Sequence, residues 1–125
     1  MSTGVTLILL LIAALHVIFF IGESFLWKRP DFSRRMMRRM KPDSALDPAV
    51  EAKALEVLFF NQGVYNLMLA LGAVWAIVAG SVAFAAFICL FVVVAGATLA
   101  ATSRLRAGAV VQALPGLIGL ILLAI

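Results

Sequence analysis

The chain has 125 residues, 65% of them hydrophobic, with a formal net charge of +4, one histidine and one cysteine. A mean hydropathy of +1.15 is too apolar for a soluble globule of this size. A single cysteine, Cys89, excludes an intrachain disulfide.

Four segments reach the roughly 20 apolar residues that a membrane span needs. The first is expected over about 4–27. Met1-Ser2-Thr3-Gly4 lacks the basic stretch of a secretory signal, so this segment reads as a span and not as a cleaved leader. A polar, basic loop follows over 28–56. The helix of the second span is expected to start early, outside the membrane, where Asp47 can N-cap it, with Pro48 at the first helical position and Glu51 in the first turn. The second span is expected over 57–79, a tight turn at Ala79-Gly80-Ser81 leads to the third over 82–103, and the fourth covers 107–125. The fold class expected is all-α: one integral membrane domain, a four-helix bundle.

Charge sets the orientation. The 28–56 loop carries eight of the ten lysines and arginines, and Arg104 and Arg106 lie in the turn after the third span. With four spans both connections share a face, which the positive-inside rule assigns to the cytoplasm. Both termini are then expected on the outer side.

Depth follows from orientation. His16 and Glu23 in span one, Asn61, Gln62, Tyr65 and Asn66 in span two, Thr98 and Thr102 in span three and Gln112 in span four all fall in the cytoplasmic half or near the midplane. His16 and Glu23 are seven residues apart and share a helix face, as do Gln62 and Asn66 at a spacing of four. Gly108, Gln112, Gly116 and Gly119 form a stripe suited to close helix packing. A bundle can turn these stripes inward, where each polar group answers another.

The pattern His16-x6-Glu23-x3-Trp27-x2-Pro30, the block "NQGVYN" from Asn61 to Asn66, Val94-Ala95-Gly96 and Gln112-Ala113-Leu114-Pro115 resemble a family of small bacterial four-span proteins of unknown function, DUF1304. The resemblance spans essentially the whole chain. It implies a membrane location and no established activity, and the charge pattern makes that the bacterial inner membrane. The basic run from Arg34 to Lys41 and the stretch Ala97-Thr98-Leu99 depart from the family pattern.

Two readings of the polar cluster stand side by side. One is a structural clasp of inter-helical hydrogen bonds, each contributing about 0.6 kcal/mol on average. The other is a pocket in which His16, Glu23, Asn61, Gln62, Tyr65, Asn66 and Gln112 bind a small molecule or lipid, or serve an accessory subunit. Within the second, a membrane enzyme would use Glu23 and His16 as acid and base in isomerase-like chemistry. A transporter would need a dimer to supply a path through the apolar outer half, and a homodimer is compatible with the small-residue stripe. No cofactor and no metal is expected: one histidine and one cysteine do not make a metal site. In the loop, Arg34, Arg35, Arg38, Arg39 and Lys41 occupy one helical arc, and Met36, Met37 and Met40 the other. Such a helix suits the surface of an anionic inner leaflet. The alternative is a solvated loop that only sets topology. No aromatic platform accompanies the charges, so nucleic acid is not expected as a partner.

Overall fold

A computed structural model describes all 125 residues, and helices are its only regular secondary structure. In order, the elements are α1 (Thr3–Ser24), a 3-10 turn (Leu26–Lys28), α2 (Pro30–Met40), α3 (Pro48–Ala54), α4 (Glu56–Val78), α5 (Val82–Thr102) and α6 (Arg106–Ala124). Four helices are long and apolar enough to cross a membrane: α1 with its 3-10 extension, α4, α5 and α6.

The caps follow from sequence chemistry. The Asp47 carboxylate accepts from the Ala49 and Val50 amides at 2.7 and 3.3 Å, with Pro48 at the first helical position. The sequence predicts that this cap starts the helix of span two, but the helix it starts is a separate one. It breaks at Leu55, and α4 begins afresh at Glu56. At the other end of α4, Gly80 takes φ +62°, the left-handed conformation that glycine adopts without steric penalty. The Ser81 amide then reaches the Ala76 carbonyl and the Gly80 amide the Ile77 carbonyl, satisfying two carbonyls at the helix end. Ser81 in turn caps α5 through the Phe84 amide.

The bundle is two hairpins: α1 lies along α4, and α5 along α6, with α1 also touching α6. Glycines set the approach within each pair. At Gly63 an added Cβ would collide with the Ser24 hydroxyl and crowd the Phe20 carbonyl across the α1–α4 seam. At Gly116 it would collide with the Cys89 carbonyl and Val92 of α5. The glycine stripe of α6 is therefore spent on intrachain packing at Gly116 and Gly119, where Cys89 and Ile8 abut.

The two hairpins close at one end and part at the other. At the end bearing the Gly80 turn, Val5, Leu9 and Ile12 pack with Ala70, Ala73, Ala76, Ala85 and Ile88 in one buried cluster. Alanines there let four backbones converge. At the opposite end sits a second cluster, Trp27, Met37 and Ala52, with the large side chains of Phe32, Met36, Met40, Leu55 and Phe59 packed around it. Trp27 is 3% exposed, stacks on Phe59 at 3.6 Å between ring centroids, and donates from Nε1 to the Ala52 carbonyl at 2.9 Å. The methionine face of α2 thus packs on the protein's own bundle end and not outward. Its basic face is exposed at Arg34, Arg35, Arg38 and Arg39.

Candidate functional site

The parting of the hairpins leaves an open-sided cavity of about 920 Å³ at the α2 end. Glu23 and Leu26 of α1 and its extension, Gln62 and Asn66 of α4, Thr98 and Leu99 of α5 and Gln112 of α6 all face it, and Phe32, Met36 and Met40 of α2 close its end. Its polar centre is one contact. The Asn66 amide Nδ2 donates to Glu23 Oε2 at 2.6 Å, tying α4 to α1. Asn66 is 7% exposed. One turn before it on α4, Gly63 lets the helices meet, and the Ser24 hydroxyl donates to the Phe60 carbonyl at 3.3 Å. The block "NQGVYN" therefore combines a close-approach glycine with an amide positioned to reach a carboxyl on the neighbouring helix.

The mouth is basic. Arg39, Arg104 and Arg106 all border the cavity, and all three are exposed. The Arg104 amide donates to the Met40 carbonyl at 3.2 Å, which latches the end of α2 to the α5–α6 turn. The Arg104 side chain lies 3.4 Å from Asp43, an exposed pair that contributes little to stability. A shallower depression of about 420 Å³ covers the junction of Met40–Ser44 with Ala101–Arg104, beyond the ends of the spans.

The structure brings together only part of the polar set read from sequence. Glu23, Gln62, Asn66 and Gln112 meet at the cavity. His16 does not line it. Its ring is fully buried, Nδ1–H donates to the Ile12 carbonyl of its own helix at 2.8 Å, and the ring sits edge-on to Phe19. A 20° offset on the wheel does not bring His16 and Glu23 together, because seven residues put them about 10 Å apart along the axis. Asn61 and Tyr65 do not line the cavity either, and Tyr65 is 67% exposed. Among the basic residues of α2, Arg39 borders the cavity, whereas Arg34, Arg35, Arg38 and Lys41 do not.

Residues that sequence reasoning did not assign to a site also line the cavity. Arg104 and Arg106, which the sequence marks for topology and as candidate partners of Glu23, border the cavity. Thr98 and Thr102 border the cavity while their hydroxyls donate to carbonyls one turn back, Val94 and Thr98, at 2.9 and 2.8 Å. Their four-residue spacing was the available signal. Trp27 and Phe59 also border the cavity, and no local pattern marks them as partners. The chain contains no group of three or more histidine, cysteine, aspartate or glutamate side chains placed to hold a metal.

No curated protein and no solved structure matches the chain. The family model described as a protein of unknown function, DUF1304, matches residues 10–124. That match covers all four apolar helices except the first turns of α1, together with α2, α3 and every residue named at the cavity, and the chain therefore belongs to the DUF1304 family.

Proposed function

We propose that the protein is a non-enzymatic binding or accessory protein of the bacterial inner membrane, which holds a small amphipathic molecule in the cleft between its two hairpins. The observation that carries this reading is the cavity itself. Its size is near the top of the range for ligand pockets, its lining is mostly apolar, and a few polar groups converge in it. A clasp alone needs the Glu23–Asn66 contact, whereas the cavity also gathers Gln62 and Gln112. The confinement of the cavity to the α2 end favours binding over transport. An acid–base enzyme is the second reading, and Glu23 alone of its two candidate groups reaches the cavity.

Cavity filling tests the proposal. Gly22 and Gly108 line the cleft, and a Cβ at either meets only ordinary van der Waals neighbours, Phe32 at 3.8 Å and Leu99 at 3.7 Å. The Gly22→Leu/Gly108→Leu double variant should fold at least as stably as the parent, since each leucine gains about 1 kcal/mol of helix propensity over glycine. Native mass spectrometry in mild detergent should find a retained molecule on the parent and not on this variant. Equal retention on both would remove the cavity from the account.

Orientation belongs to the same proposal. The cavity mouth, α2 and the α5–α6 turn lie on the end that holds all ten basic residues, which the positive-inside rule makes cytoplasmic. A reporter active only in the cytoplasm, fused after Ile125, is expected to stay inactive. Activity there would invert the topology.

A further inference from the structure

The chemistry of the occupant can be read from the cleft, on condition that the cleft is the binding site proposed above. We infer that the cavity takes an anionic phospholipid from the leaflet at the α2 end, with its phosphate at Arg39, Arg104 and Arg106 and an acyl chain between the hairpins.

Three observations converge. The first is charge. Three arginines, Arg39 of α2, Arg104 of the α5–α6 turn and Arg106 at the start of α6, border one mouth, and the latch from the Arg104 amide to the Met40 carbonyl holds the two sides together. The acidic groups nearby are Asp43, which lies against Arg104 outside the cavity, and Glu23, which is turned to Asn66 further in. The mouth therefore carries more positive than negative charge, and guanidinium groups suit a phosphate better than any other side chain.

The second is depth. Ile18 is the cavity residue of α1 furthest from the mouth, nine residues before Trp27, the last cavity residue of that segment. At a 1.5 Å rise the cleft reaches about 14 Å along the helix, close to half of a hydrocarbon core about 30 Å thick. That is the depth of one leaflet.

The third is access. Ile18 and Thr98, on two different spans, line the cleft and are also exposed, so it opens sideways at membrane depth as well as at its mouth. An occupant can enter from the bilayer without crossing water. The apolar lining then takes the chain. Gln62, Gln112 and Glu23, within three turns of the mouth, meet the ester and glycerol region.

The test adds defined lipids to the delipidated full-length protein in detergent and reads retention by native mass spectrometry. Phosphatidylglycerol should be retained about tenfold more than phosphatidylcholine, the scale of one charge-assisted contact. Arg39→Gln/Arg104→Gln/Arg106→Gln should erase that preference. Arg34→Gln/Arg35→Gln/Arg38→Gln removes the same charge from the outward face of α2 and should keep it. Arg39→Gln alone should weaken the preference in a chain whose α5–α6 turn is untouched. Loss of preference in the outward variant, equal retention of both phospholipids by the parent, or retention of oleate in place of either would overturn the inference. If a molecule of another class is retained and Gly22→Leu/Gly108→Leu releases it, the headgroup assignment fails and the binding cleft stands. If nothing retained depends on the cleft, both fail.

Discussion

Gly63→Leu is expected to cost about 3 kcal/mol or more and to lower the Tm of the detergent-solubilised protein accordingly. A Cβ alone at this position meets the Ser24 hydroxyl, the Phe20 carbonyl and the Ser24 amide, two of them backbone atoms that cannot turn aside. The longer side chain has to push α1 away from α4. Separation at that point also pulls Asn66 from Glu23, one helical turn further along α4. Gly63→Ala should cost less, about 1–3 kcal/mol. Gly80 provides the control: Gly80→Ala meets no neighbour within 4 Å, so its cost is limited to the strain of a positive φ. A Gly63→Leu protein as stable as the parent would show that α1 and α4 do not pack at this seam.

The second large effect concerns Glu23 and Asn66. Asn66→Leu is expected to destabilise the protein by about 1.5–3 kcal/mol, because it removes the hydrogen-bond donor and leaves a half-buried carboxyl without its answer. Glu23→Leu/Asn66→Leu replaces both partners by apolar groups and should recover most of that loss. The coupling from the full double-mutant cycle, read by thermal or denaturant unfolding, should be about 1–2 kcal/mol, at the upper end for polar pairs between membrane helices. Additive effects would mean that the 2.6 Å contact contributes nothing to the fold.

Much of the architecture was legible in the sequence because the bilayer leaves few alternatives. Four apolar runs of sufficient length in a chain with charge confined between them can form little else than four spanning helices. The Gly80 turn and the Asp47 cap carried local chemical signals, and both formed as expected. The break at Leu55 carried none. Its sequence continues a helical pattern, and the kink comes with the packing of α3 and Trp27, a tertiary event. The same distinction separates the candidate site residues. Helical spacing put His16 and Glu23 on one face, but it says nothing of which neighbouring helix stands beside each level of that face. At the level of Glu23 the hairpins part and leave room. At the level of His16 the ring is wholly enclosed and turns back to its own helix. Amphipathicity likewise marked α2 as a helix with two faces. It could not tell a lipid surface from the end of the protein's own bundle, and Trp27 and Phe59 supply the latter.

The measurement that tests the central claim most directly is ligand retention by Glu23→Leu/Asn66→Leu, run beside its unfolding curve. If the polar pair serves a bound molecule, this variant stays folded with a Tm near that of the parent, and native mass spectrometry finds the co-purified molecule gone or reduced about tenfold. If the folded variant keeps the molecule undiminished, the pair is a structural clasp only, and the claim that it serves a bound molecule is contradicted.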